Sequence, residues 1–426
     1  MRSWREALAD QLDPRVARIL FLGFSSGLPM LLVYSTLSAW LKEEGIDKTT
    51  IGFFGTVSIA YSVKWLWTPL IDRLKIPLLH RAMGRRRSWL LASQLGLAAS
   101  IFGLGQTQPG VDFYPAFLWS FVVAFFSATQ DMVIDAYRIE ILEREQLGAG
   151  AANVTFGYRV GMLVAGGGCL LIADQLDWHA AYTVMALLMG VGIVTTLLIS
   201  EPAAGPAAEK SLTFRTAVIE PFVDFTRRPG WLLILVFVAL YRYSDALLGN
   251  MANPFYLELG FTKTDIGLIS KGYGLVMTFV GTFVGGLLYS RLGMARSLLT
   301  AGVAQAGSNL LYVALALKGP SIAYLAFTIS IENFASGFAT VVFVAYLSSL
   351  CSVAYTATQY ALLSSAAAVA RTLLSSGGGW LADHVSWPTF FTISTLAGIP
   401  CLILLVVLMR RFPPEPPPSA AALDGA

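Results

Sequence analysis

The chain alternates long apolar runs with short polar breaks. A bilayer core takes about 20 apolar residues per helix, and twelve runs reach that length. They fall at roughly 16–38, 50–68, 88–106, 115–138, 149–172, 179–200, 230–250, 263–289, 297–317, 321–345, 356–379 and 387–409. Several contain Gly or Pro, which a membrane helix tolerates when its neighbours repair the backbone. An even number of spans returns both termini to one side. The polar breaks are sharply unequal in charge. Breaks on the side of the termini carry twenty Lys and Arg, including Arg2, Arg5, Arg73, Arg85, Arg86, Arg87, Arg227 and Arg228. Those on the other side carry four: Lys42, Lys48, Lys263 and Lys318. The positive-inside rule then predicts that both termini are cytoplasmic.

Composition supports this pattern. Of 426 residues, 56% are hydrophobic and 13% charged, against about 25% charged in a typical soluble domain. A soluble globule of this size could not cover its surface, so soluble enzyme folds and intrinsic disorder are excluded for the chain as a whole. The net charge of +3 offers nothing to nucleic acid. Cys169, Cys351 and Cys401 lie in apolar runs without a CxxC spacing and are expected to be inert buried thiols. The three histidines, His80, His179 and His384, are too scattered for a metal site. No cofactor is expected, and the polar start MRSWREALADQLDP carries no apolar run of the signal-peptide kind.

The halves repeat. G-I-D-K-T-T-I-G at 45–52 returns as G-F-T-K-T-D-I-G at 260–267, ADQLDW at 173–178 as ADHVSW at 382–387, and DRL at 72–74 as SRL at 290–292. Three matches in the same order indicate duplication. The expected organisation is a six-helix half over 1–200, a cytoplasmic linker over 201–229, a second half over 230–409 and a disordered, Pro-rich cytoplasmic tail over 410–426. Six is even, so both halves enter the membrane in the same sense. The result is an all-α membrane protein of twelve helices in two halves related by a parallel pseudo-twofold axis. That arrangement resembles the major facilitator superfamily, whose site lies between the halves. The run W-T-P-L-I-D-R-L…G-R-R-R resembles the superfamily's inner-loop signature. The resemblance makes Asp72, Arg73, Arg85, Arg86 and Arg87 a cytoplasmic latch. Positive-inside anchoring is the alternative for the arginines.

The charges inside the spans carry most information. An ionisable group at mid-membrane costs ~3 kcal/mol or more by insertion scales, so it needs a partner or a wet cavity. The chain places Lys64, Asp131, Asp135, Arg138, Arg159, Arg242, Asp245, Lys271, Glu332 and Arg371 there. In S-A-T-Q-D-M-V-I-D-A-Y-R-I-E, Asp131, Asp135 and Arg138 share one helical face beside Gln130. Two carboxylates so close disfavour double ionisation, so one is expected to hold a proton near neutral pH. Asp131, Asp135 and Glu332 are the candidate proton carriers. A structural pair of Asp135 with Arg138 also fits. Arg159 and Arg371 each precede a glycine triplet, at 166–168 and 377–379, where close packing is expected to turn them toward a pore.

Long polar runs inside the spans narrow the resemblance. L-G-F-S-S-G-L-P-M, K-W-L-W-T-P-L-I-D-R, S-A-T-Q-D-M-V-I-D-A-Y, G-Y-R-V-G-M-L-V, L-Y-R-Y-S-D-A, I-E-N-F-A-S-G and A-T-Q-Y-A-L-L-S are similar to the AmpG-type muropeptide permeases of that superfamily, over about residues 16–409. The resemblance implies a transporter rather than an enzyme. It would sit in a bacterial inner membrane and import N-acetylglucosaminyl-1,6-anhydro-N-acetylmuramyl peptides with protons, for cell-wall recycling linked to β-lactamase induction. Lys64, Gln130, Arg159, Arg242, Asp245, Lys271, Asn333, Gln359 and Arg371 fall in family-like segments and are the candidate substrate contacts. The expected partners are the muropeptide and the bilayer, with a monomer as the working unit. A carrier of another anionic solute, such as an acyl-coenzyme A or a phosphosugar, stays open, as does a non-transporting membrane sensor.

Overall fold

A computed structural model describes residues 2–203, 219–352, 354–375 and 377–412. Part of the expected linker and nearly all of the expected tail therefore lie outside the described residues. What is described is helical. Helix α1 (Trp4–Leu12) opens with a capping box between Ser3 and Glu6, which satisfies backbone donors at its first turn. Asp13 then caps α2 (Pro14–Glu43), with Pro14 at its first position. The Arg15 side chain, before other contacts, holds the Asp13 carboxyl below its ordinary range.

The following segment is expected as one span over 50–68. It is instead broken into α3 (Lys48–Phe54), α4 (Ile59–Val63) and α5 (Thr68–Arg73), joined by 3-10 turns. Pro69 lies in the first turn of α5, where its missing N–H costs nothing. Then come α6 (Leu79–Met83), α7 (Arg85–Gly105), α8 (Phe113–Ile141), α9 (Arg144–Gln175) and α10 (Trp178–Leu198). Within the expected linker lies the short α11 (Glu220–Thr226), and then come α12 (Trp231–Glu258), α13 (Ile266–Leu292), α14 (Met294–Lys318) and α15 (Ile322–Ser349). The chain continues through α16 (Thr356–Ser375), α17 (Gly378–His384) and α18 (Trp387–Arg411).

Among the described residues, ten of these helices are long and apolar enough to cross a membrane. The other two expected crossings fall on α3–α5 and on α16–α17.

Two seams bring backbones together. In the first half, a Cβ on Gly27 would lie 1.9 Å from the Tyr158 carbonyl oxygen, and one on Gly157 would lie 1.9 Å from that of Leu20. Only glycine lets α2 and α9 approach so closely. In the second half the tight pair is α13 with α15: a Cβ on Gly281 would lie 2.1 Å from the Phe334 carbonyl oxygen, and one on Gly337 would lie 2.5 Å from that of Thr278. The glycine triplet at 166–168 behaves otherwise than expected. Val164–Gly168 form a π turn in α9, and a Cβ on Gly167 would meet nothing within 4 Å. The close approach beside Arg159 comes from Gly157 and Gly161 instead.

Two tryptophan–glutamate contacts have the same form. Trp178 Nε1 donates to Glu43 at 2.7 Å, closing α10 onto the end of α2. Trp387 Nε1 donates to Glu258 at 2.7 Å, closing α18 onto the end of α12.

Candidate functional site

Charged side chains gather at two levels, one mid-span between the halves and one at the arginine-rich end. At mid-span, consecutive residues of α2 and α8 pair. Ser25 Oγ donates to Gln130 Oε1 at 3.0 Å, and Gln130 Nε2 donates back to the Ser25 carbonyl at 3.0 Å. Ser26 Oγ donates to Asp131 at 2.5 Å. Sequence reasoning quoted the Ser-Ser run but missed its role; adjacent hydroxyls in an apolar helix were the available signal. Lys64, on the 3-10 turn before α5, and Asp135 lie within electrostatic reach of Asp131, as do Tyr61 and Tyr158.

Arg159, five residues before the π turn of α9, makes no ion pair or side-chain hydrogen bond with a described residue. Arg242 and Asp245 of the other half lie within its electrostatic reach. Arg242 and Asp245 form an ion pair on α12; Arg242 also donates to Thr340 and Asp245 accepts from Gln305 at 3.3 Å. Asn333 Nδ2 donates to Glu332 at 2.8 Å, while Asn333 Oδ1 accepts from Thr278 at 2.8 Å. Phe156 of α9 and Phe279 of α13 pack at 4.6 Å between ring centres. The arrangement places acids, bases and aromatic faces from both halves around one mid-span region.

Two expected members, Arg371 and Gln359, stand apart. Arg371 is exposed on α16. The Lys271 side chain lies outside the described residues. Gln359 belongs to the arginine-rich end: it is buried, donating to Asp224 at 2.8 Å and to the Pro221 carbonyl at 3.1 Å, and accepting from the Ser352 N–H at 2.7 Å. It lies one turn into α16, too near the helix end to reach mid-span. Asp135 accepts from Arg138 at 3.1 Å, and the fully buried Arg138 lies 5.7 Å from the Tyr360 ring centre. This is the ion-pair geometry rather than that of an unattached carboxylate.

At the arginine-rich end, Asp72 closes α5 against the other half. Its carboxylate accepts from the backbone N–H of Ala357 at 3.2 Å and of Thr358 at 2.9 Å, and from the Thr358 hydroxyl at 2.7 Å. An acid of one half thereby caps the N-terminus of a helix in the other, where free N–H groups favour negative charge. Arg86 donates to Asp72 at 2.8 Å and to Glu140, and Arg85 donates to the Asp72 carbonyl at 2.6 Å. Glu201 accepts from the N–H groups of Arg86 at 2.7 Å and Arg87 at 3.0 Å, which fixes the start of α7. Arg87 reaches the Thr196 and Leu197 carbonyls at 3.1 and 2.9 Å. Arg73 faces Glu220 at 3.9 Å and the Tyr355 ring at 5.6 Å. Burial, with the Glu220 carboxylate behind it, pushes the Tyr355 phenol up to about 12, so it stays a neutral donor. Glu140 and Glu201 had no sequence signal, because their partners lie far along the chain.

Comparison with known proteins agrees with this geometry. The sequence profile of the Major Facilitator Superfamily matches residues 19–248 and 238–425. The anhydromuropeptide permease of Escherichia coli (strain K12) is 41% identical over 395 residues, covering 92% of this chain and 79% of that protein. A putative transporter, AmpG 4, of Rickettsia conorii is 36% identical over 400 residues, covering 92% and 96%. Among solved structures, a major facilitator superfamily transporter, FucP, in the outward conformation superposes with a TM-score of 0.68 at 13% identity, covering 96% of this chain and 100% of that one. The proton:xylose symporter XylE gives 0.63 at 14% identity, covering 96% of each chain.

Proposed function

The chain belongs to the major facilitator superfamily and, within it, to the AmpG-type permeases, and from that premise we propose that it imports anhydromuropeptides together with protons. As a member of that family it is a multi-pass membrane transporter rather than an enzyme. In this reading twelve spans form two parallel six-helix halves. The matched bonds Trp178–Glu43 and Trp387–Glu258 support the duplication. The excess of Lys and Arg at one end supports cytoplasmic termini. The linker over 201–229 joins the halves on that side. One chain supplies both walls of the site, so a monomer suffices.

The observation that carries the proposal is the mid-span charge set drawn from both halves: Asp131 and Lys64 with Arg159 on one side, Arg242 and Asp245 on the other. Groups so costly in lipid are retained where they meet a solute in a wet chamber. Substrate enters from the periplasm while the arginine-rich end is closed. Arg159, which has no ion-pair partner among the described residues, meets a carboxylate of the muropeptide. Gln130, Asn333 and the nearby tyrosines face sugar hydroxyls and rings. Asp131 takes the proton: its one hydrogen bond among the described residues, from Ser26, leaves its other oxygen for a proton from the chamber. Asp135 is committed to Arg138, and Glu332 to Asn333. Gln359, Asp72, Arg73, Arg85, Arg86 and Arg87 serve the inner gate.

Uptake of labelled anhydromuropeptide into proteoliposomes, driven by an imposed proton gradient, tests this reading. Asp131→Asn is expected to abolish gradient-driven accumulation and to spare substrate exchange at equal concentrations. Full proton-driven accumulation by that variant would remove Asp131 from the coupling step. Uptake of an acyl-coenzyme A that outcompetes the disaccharide peptide would replace the substrate.

A further inference from the structure

Both halves begin with a short helix on the arginine-rich end, α1 before α2 and α11 before α12. Each of these helices touches its own half and then crosses to the other. Helix α1 is tied to its own half through Asn153, which donates to Gln11 at 3.0 Å, and through Gln146, which donates to Asp13 at 2.9 Å. It crosses to α13: the Arg2 N–H donates to the Arg291 carbonyl at 3.3 Å, and the Arg291 guanidinium sits 4.0 Å over the Trp4 ring. The ion pair Arg2–Asp10 at 2.7 Å holds that end of α1 in shape.

Helix α11 is tied to its own half through Tyr355, which donates to Glu220 at 2.7 Å, and through Gln359 on Asp224. It crosses to α5, where Glu220 faces Arg73 at 3.9 Å. The two arginines that receive these helices, Arg73 and Arg291, are the same residue of the repeat, the middle of DRL at 72–74 and of SRL at 290–292. Each is the last arginine at the inner end of the second span of its half.

We propose that α1 and α11 are a matched pair of crossed straps that hold the cytoplasmic end closed and must let go of Arg291 and Arg73 before the carrier opens inward. The idea rests on alternating access but not on the identity of the substrate. When the halves part, each strap stays with the span it precedes, so the bonds within its own half survive and the crossing contact breaks. The crossings add to the Asp72 cap of α16 but share no atom with it.

The test reads opening directly. In a cysteine-free protein reconstituted in liposomes, Ala361→Cys places a thiol at the closed end, where Ala361 is 1% exposed. Its rate of modification by a membrane-impermeant maleimide added to the cytoplasmic face reports inward opening and needs no substrate. Trp4→Ala and Glu220→Gln are each expected to raise that rate about two- to five-fold, the loss of one cation–π contact or one ion pair, and together by about the product. Arg291→Lys keeps a cation over the ring and is expected to label near the parental rate. Arg291→Ala, which leaves α1 untouched, is expected to match Trp4→Ala and covers the case in which that variant fails to fold. A double variant labelling at the parental rate, or acceleration from one strap alone, would overturn the matched pair. Normal gating with no muropeptide uptake would instead count against the substrate and leave the straps standing.

Discussion

The two walls where the halves meet are built by opposite means. One wall runs α2–α9–α13–α15. Within each half its helices touch backbone to backbone at glycines, and between the halves Gly148 of α9 lies against the Tyr289 ring while Gly286 of α13 faces Ala152. The other wall consists of the broken segment α3–α5 facing α16–α17, and its joint is polar: Asp72 on the N-terminus of α16, with Arg73, Glu220 and Gln359 beside it. The difference lies in what each joint requires in order to part. A glycine seam is a steric fit in which no atom can be replaced. A carboxylate on free N–H groups can exchange those partners for water at modest net cost. Short helical pieces can also shift without bending a long rod. The first wall is therefore expected to behave as a stiff unit in each half, and the second as the place where the inner gate breaks.

Substitutions can separate these roles. The largest effect is expected from Gly27→Val, whose side chain would be driven into the Tyr158 carbonyl. Overpacking there should cost about 3 kcal/mol or more and appear as loss of folded protein or a sharp drop in melting temperature in detergent. A folded, fully active Gly27→Val would show that the seam is loose and dissolve the contrast. Next comes Asp72→Asn, which keeps the shape but gives up the charge held by three donors of α16 and by Arg86. Weakening charged hydrogen bonds by about 1.5–3 kcal/mol should raise the inward-open population about tenfold or more. Thiol labelling at the closed end should detect this, with a smaller melting shift than the glycine variant gives. If melting falls as far as for Gly27→Val, the latch is part of the fold rather than of the gate. The smallest effect is expected from Gly307→Ala in α14, where an added Cβ meets nothing within 4 Å. Relief of glycine's backbone entropy should leave stability unchanged or higher by about 0.5–1 kcal/mol. A large loss there would mean that every glycine in these helices is packed, not only those of the seams.

How much of this was legible in the chain depends on the range over which each feature acts. Asp131, Arg159 and Arg242 stood out because a charge in an apolar run is anomalous against its own neighbours. Asp72 stood out because an acid contributes nothing to positive-inside anchoring. Gln359 was assigned to the cavity only through the family resemblance of its segment, and its place one turn into α16 puts it at the arginine-rich end instead. The glycine triplet at 166–168 looked like a packing signal, whereas the real contacts fall on Gly157 and Gly161, one turn apart on α9 and set against Leu20 and Phe24 of α2. Ser25 and Ser26 gave only the weak signal of adjacent hydroxyls.

The sequence by itself determined the class of molecule, most of its long apolar helices and the expensive charges. Each of these follows from a cost that acts residue by residue, the free energy of moving a side chain or a run of side chains out of water. Only the tertiary structure decided which ends meet. That Asp72 caps α16, that Arg291 lies over Trp4 and that the glycine seam joins α2 to α9 in one half but α13 to α15 in the other are matters of packing between segments far apart in the chain. No local pattern encodes them, because the partner that satisfies each group is supplied by the arrangement of the whole.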